Sequence, residues 1–119
     1  MTIGTDIASI ERMRKSAGRE SFVKRVFSQA EREMFLQKRD PAPSMAANWA
    51  GKEAFAKALG TGVRGFELNE IEILRDTLGA PFVRLCGNAR LEAEKRGIKK
   101  IHISLSHERD YAVAFVVTE

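Results

Sequence analysis

The segment YAVAFVVT, residues 111–118, is apolar on both of its alternating faces: Ala112, Ala114 and Val116 on one, Tyr111, Val113, Phe115 and Val117 on the other. Side chains along a strand alternate with a period of two. Neither face of this strand is therefore suited to water, and each must be covered by helices or by another subunit. A chain of 119 residues has room for one domain and not for two ordinary ones.

The covering helix is legible at about 44–59. Ala46, Ala47, Ala50, Ala54, Ala56 and Ala58 give it high helix propensity and let neighbours pack closely. Gly60 follows as a C′ residue and opens a glycine-rich loop, Thr61 to Gly65, with Arg64 inside it. Upstream, TIGTDI (2–7) reads as a strand, 8–16 as a helix broken by Gly18, and 21–27 as a second short helix with Phe22, Val23, Val26 and Phe27 on one stripe. Ser28 and Glu31 form a capping-box signature for a helix running to about Arg39, with Pro41 and Pro43 as a loop beyond it. Downstream, residues 67–76 and 82–86 read as a hairpin about the turn 78–81. A charged helix (88–97) then leads to a strand, 99–107, with Ile101, Ile103 and Leu105 on one face and His102, Ser104 and Ser106 on the other. The pattern predicts an α+β fold: a single compact domain over 1–119, with a mainly antiparallel sheet packed on a long central helix.

At 44% hydrophobic and 30% charged residues the chain is of globular and not disordered type. It has no run long enough for a membrane helix, no secretory signal pattern, and a single cysteine, Cys86, read as a small hydrophobe in a strand. These features predict a cytoplasmic protein. The net charge of +4 is localised, because residues 11–40 hold nine Lys or Arg against five Asp or Glu while the rest balances. A basic segment of this kind is either a solvated helix face or a surface that steers an acidic partner.

Glu53 and Lys57 lie at i, i+4 on the central helix, so their side chains share a face. Alone this is a surface pair of small energetic weight. Asp6, at the end of the first strand, is either an N-cap for the next helix or a site residue. An Asp and a Glu on neighbouring elements suit Mg2+, which takes one or two carboxylates and completes its shell with water and substrate phosphates. With Lys57 and the loop holding Arg64, they point to a phosphate-bearing substrate. The loop follows a helix C-terminus and so is not a P-loop. Ser106 and His107 are adjacent on a strand, point to opposite faces, and lack a nucleophile-elbow motif, which argues against a hydrolase. His102 reads as a structural or surface histidine.

Three stretches together are more specific. GTDIASIER, WAGKEAFAKALGTG and ISLSHERDYAVAFVV resemble, in order and spacing, the signature segments of the holo-[acyl-carrier-protein] synthases, the small-type 4′-phosphopantetheinyl transferases. The resemblance implies transfer of 4′-phosphopantetheine from coenzyme A to a serine hydroxyl of apo acyl carrier protein, releasing adenosine 3′,5′-bisphosphate. It implies Asp6 and Glu53 as Mg2+ ligands, with Asp6, Glu53 and Lys57 catalytic. It implies Lys52, Lys57, Gly60, Thr61, Gly62, Ser106 and His107 at the coenzyme. Arg12, Arg14, Arg19, Lys24 and Arg25 would dock the acidic carrier, Arg12 and Arg19 matching best. A homotrimer with active sites between subunits is implied as well.

The chain departs from the family pattern at Asn48, where many members have arginine, at Gly51 for alanine, and at Ser21 for arginine. Ala8 replaces an acid found in larger members, so water is expected at that metal position. These departures bear on phosphate and carrier contacts, not on the reaction. Two rival readings are a non-catalytic basic nucleotide- or nucleic-acid-binding module and a structural oligomerisation domain. Few aromatics and no recognisable binding motif speak against the first. The second leaves Asp6, Glu53, Lys57 and His107 without a role.

Overall fold

The structure, a computed structural model, describes residues 1–119. Strand β1 (Thr2–Ser9) leads into three short helices, α1 (Ile10–Ser16), α2 (Glu20–Val26) and α3 (Gln29–Leu36). The long helix α4 (Ala42–Ala58) follows, then a 3-10 turn at Leu68–Glu70 and the hairpin β2 (Ile71–Arg75) and β3 (Pro81–Leu85). Helix α5 (Gly87–Lys95) and strands β4 (Ile101–His107) and β5 (Tyr111–Thr118) complete the chain. All strand pairs are antiparallel, in a three-stranded sheet ordered β1-β5-β4 and the separate β2-β3 pair. The expected α+β architecture, antiparallel sheet on a central helix, is therefore present.

Helix α4 organises the molecule. Ala50, Ala54, Phe55 and Ala58 join Ile71, Ile73, Ala114 and Val116 in one core. Met45, Ala46 and Ala47 join Ile10, Met13, Phe22, Val26, Phe27 and Phe35 in a second. A helix that is buried on most sides needs small residues where elements touch, and its seven alanines supply them. Gly51 does the same, since a Cβ there would overlap the end of Ile73. The helix begins two residues before the expected Ser44. Pro41 occupies the N-cap position without a side-chain cap, and Pro43 sits in the first turn, where a missing N–H costs nothing. Gly60 adopts φ +82° at its C-terminal end, and Arg96 donates to the Leu59 carbonyl at 2.6 Å.

Other boundaries also move. β1 runs on to Ser9, whose hydroxyl accepts from the Arg12 amide at 3.2 Å, so the N-cap of α1 is Ser9 and not Asp6. The α3 capping box forms as expected, but that helix ends at Leu36, before Arg39. Cys86 lies beyond β3, exposed, as the N-cap residue of α5 and not within a strand. His102 is a surface residue, 2.7 Å from Glu119.

The two faces of β5 differ. Ala112, Ala114 and Val116 are buried beneath α4. On the outer face Tyr111, Val113 and Phe115 are 50%, 39% and 47% exposed, flanked on β1 by the exposed Ile3 and Ile7. The helix expected to cover the last strand covers one face only.

Candidate active site

Asp6 projects from β1 toward α4, on the same face as Gly4 and opposite the buried Ala114. The Lys57 ammonium meets it, 3.0 Å from Asp6 Oδ1, and donates to the Thr5 carbonyl at 3.0 Å. Glu53 stands one helical turn before Lys57. Burial pushes the Glu53 carboxyl above its ordinary range, the negative charge of Asp6 pushes it further, and Lys57 only partly opposes them. Asp6, Glu53 and Lys57 are thus neighbours: Lys57 is bonded to Asp6 and acts on Glu53 only through space, so two acids face one lysine.

That arrangement fits a divalent cation. Two hard oxygen ligands, half-shielded and short of positive charge, are what a Mg2+ site requires, since Mg2+ keeps most of its shell for water and phosphate. No three His, Cys, Asp or Glu side chains are grouped so that they could hold a metal ion by themselves.

Trp49, Glu53 and Lys57 form a single i, i+4, i+8 stripe on α4. Trp49 stacks on Phe22, ring centroids 5.8 Å apart. Beside this pair lies a cleft of about 290 Å³ lined by Ile7, Arg12, Met13, Phe22 and Trp49, starting one residue beyond Asp6. The guanidinium groups of Arg19 and Arg25 each sit 5.7 Å from the Phe22 ring centre. The basic segment and the acid pair are therefore ends of one surface. Its apolar floor of Met13, Phe22 and Trp49 was not anticipated from sequence, although Trp49 lies four residues before Glu53. Of the other basic residues singled out, Arg14 is tied to Asp40 at 2.7 Å and Lys24 to Glu20 at 3.0 Å. The hydrogen bond it donates to Asp40 holds the Arg14 guanidinium above its usual range.

Lys52 is not at this surface, and its expected contact with a coenzyme is corrected by the structure. It is fully buried, 2.6 Å from Glu31 Oε1, and it also donates to the carbonyls of Leu68 (3.0 Å) and Ile71. Burial drives its pKa down, against the opposing pull of Glu31. The other Glu31 oxygen accepts from Asn48 Nδ2 at 2.8 Å and from the Ile73 amide at 3.3 Å. Asn48 also donates to the Ile73 carbonyl and accepts from Arg75 at 2.9 Å. Asn48, one of the departures from the family pattern noted in the sequence, is thus a fully buried member of a polar network tying α4 to α3 and β2.

Ser106 and His107 lie on opposite faces of β4, as their adjacency requires. β5 separates that strand from β1, so the two residues do not join Asp6 and Glu53 within one chain. They line a second cleft of about 290 Å³ with Ile7, Glu108, Tyr111 and Val113, at the end of the uncovered sheet face. Gly60, Thr61 and Gly62 lie just past Lys57, the glycines at φ +82° and +68°.

A family model described as the 4′-phosphopantetheinyl transferase superfamily matches residues 2–116. The chain belongs to that superfamily. Within the superfamily it is 41% identical over 116 residues to a holo-[acyl-carrier-protein] synthase of Caldanaerobacter subterraneus subsp. tengcongensis, covering 97% of this chain and 91% of the relative. The crystal structure of holo-[acyl-carrier-protein] synthase from Neisseria meningitidis superposes with a TM-score of 0.91 at 38% identity, over 99% of this chain and 97% of that one. The Helicobacter pylori holo-[acyl-carrier-protein] synthase in complex with coenzyme A gives 0.85 at 30% identity, over 98% and 99%. The protein is an enzyme of the superfamily, with its characteristic phosphopantetheinyl transfer activity.

Proposed function

We propose that this enzyme transfers 4′-phosphopantetheine from coenzyme A to a serine hydroxyl of an apo acyl carrier protein, using Mg2+ bound by Asp6 and Glu53. The observation that carries this reading is the convergence of Asp6, Glu53 and Lys57, next in sequence to Ile7 of a cleft that Arg12 also lines. In the reaction the serine oxygen bonds to the phosphorus that bears pantetheine. The bond from that phosphorus to the bridging oxygen of the pyrophosphate breaks, and adenosine 3′,5′-bisphosphate leaves. Held by Asp6 and Glu53, Mg2+ would supply positive charge at the pyrophosphate. Lys57 adds a second positive charge beside it, and Glu53 takes the proton of the attacking hydroxyl.

The carrier protein docks, in this reading, on the apolar floor of Met13 and Phe22 with Arg12, Arg19 and Arg25 around it. Its acidic surface gains orientation and encounter rate from those cations. The coenzyme lies along the Gly60–Gly62 loop, and its adenosine-phosphate end reaches Ser106 and His107 of a second copy in a homotrimer. The uncovered apolar face of β5 supports this assembly, and the separation of Ser106 and His107 from the acid pair is then bridged between subunits.

Intact-mass spectrometry of an apo acyl carrier protein, incubated with this enzyme and coenzyme A in Mg2+ or in EDTA, tests the proposal. The expected result is a gain of one phosphopantetheine in Mg2+ and none in EDTA. A gain undiminished by EDTA would reject the metal role, and no gain with several carriers would reject the substrate.

A further inference from the structure

Gly4 has no conformational need to be glycine, because its φ is not positive. It is fully buried in β1, two residues before Asp6 and on the same face. A Cβ built there would lie well inside the van der Waals contact of the Ala54 carbonyl oxygen and 2.9 Å from the Ala58 amide nitrogen. Both are backbone atoms, which cannot swing aside as a side-chain end does. β1 and α4 therefore touch backbone to backbone at Gly4. The two helix residues they touch directly follow the two helix residues of the site: Ala54 follows Glu53, and Ala58 follows Lys57.

We propose that Gly4 is a positioning residue for the reaction: the absence of its side chain sets the distance between Asp6 on β1 and Glu53 and Lys57 on α4. The inference rests on the reading in which Asp6 and Glu53 share Mg2+. Mg2+ tolerates little departure from its octahedron and its short metal–oxygen distances. A pair of carboxylates drawn from two elements can meet that demand only if the elements are held at a fixed separation. Gly4 acts without touching substrate or metal. A methyl at position 4 must push β1 off the helix, and Asp6 moves with it, since residues i and i+2 of a strand move as one face.

The test compares Mg2+ binding by calorimetry, in the presence of saturating coenzyme A, with transfer rates for wild type, Gly4→Ala and Gly51→Ala. Gly51→Ala is the control for a crowded core. Its Cβ would meet only the side-chain ends of Ile73, Ile103 and Leu105, which can shift, and these lie away from β1. We expect Gly4→Ala to lower kcat/KM by about 10²-fold, the cost of roughly 1 Å of misplacement, and to weaken Mg2+ binding in parallel. Gly51→Ala should retain wild-type Mg2+ affinity. Adding Asp6→Glu to Gly4→Ala should restore part of that affinity, because the longer side chain spans the widened gap. A purely structural role for Gly4 would give no such rescue.

If Gly4→Ala does not fold, Asp6→Glu alone probes the same fixed separation, since a longer side chain across an unwidened gap should weaken Mg2+ binding. Mg2+ affinity unchanged in a folded Gly4→Ala, or in Asp6→Glu where that variant replaces it, overturns the inference while leaving the functional reading intact. A wild type that binds no Mg2+ overturns both.

Discussion

The charged residues of KEAFAK, 52–57, divide according to direction. Glu53 and Lys57 face β1 and lie beside Asp6, whereas Lys52, one position earlier and about 100° around the helix, points into the core. The sequence does not show this division. A helix made mostly of alanine has almost no polar face to mark which charges turn outward, so adjacent charges read alike. Glu31 was legible as a capping residue, and that role is real, but it concealed the other. The same carboxylate accepts from the Ser28 amide and from Lys52, Asn48 and Ile73. Removing one partner of a buried ion pair leaves the other uncompensated, so Lys52→Met should cost ~3–5 kcal/mol, measured by urea unfolding. Glu31→Gln combined with Lys52→Met should recover part of the loss, and strict additivity would mean the two charges do not act as a pair. Asp6→Asn should lower transfer mainly by raising the Mg2+ concentration needed for half-maximal activity. An unchanged Mg2+ requirement in that variant would remove Asp6 from the metal site.

Among elements, those with strong local signals were legible: the Ser28–Glu31 box, the alanine-rich α4, the hairpin of β2 and β3, and the alternation in β4. Errors arose where tertiary contacts set the boundary. β1 extends past Asp6 because Ile7 to Ser9 continue to pair with Tyr111 to Val113, a partnership more than 100 residues away in sequence. The stretch at Leu68–Glu70 turns as a 3-10 segment instead of extending, and the buried Lys52 ammonium draws in the carbonyls of Leu68 and Ile71 at its two ends. The end of α4 was readable because only glycine adopts a left-handed conformation cheaply. Gly60→Ala should therefore destabilise the fold by ~1–2 kcal/mol, read as a lower urea midpoint with an unchanged slope. A loss below a few tenths would mean that the loop rebuilds around the new side chain.

For the molecule as a whole, the local charge excess and the two-sided apolar strand each left two readings open, and the structure narrows both. The basic segment is not simply a solvated face, because Arg19 and Arg25 flank the Phe22 ring next to the cleft at Asp6. Arg12→Glu with Arg19→Glu should raise KM for carrier protein while leaving coenzyme binding intact. An equal loss of coenzyme affinity in titration would assign these cations to the nucleotide instead. The strand demanded cover on two sides, and one side remains open. If a homotrimer closes it, Phe115→Asp should yield monomers by light scattering and lose transfer, although Phe115 lies on the sheet face opposite Asp6. An active monomer would show that one chain carries a complete site.

Helix α4 is shared by two cores and pinned by a buried charge pair, and it bears both Glu53 and Lys57. Neither core can melt while the other survives, since each would have to give up the same helix. In many enzymes warming loosens a catalytic loop well before the body unfolds. Here Glu53 and Lys57 ride on the helix that both cores share, so they should keep their places for as long as the protein remains folded.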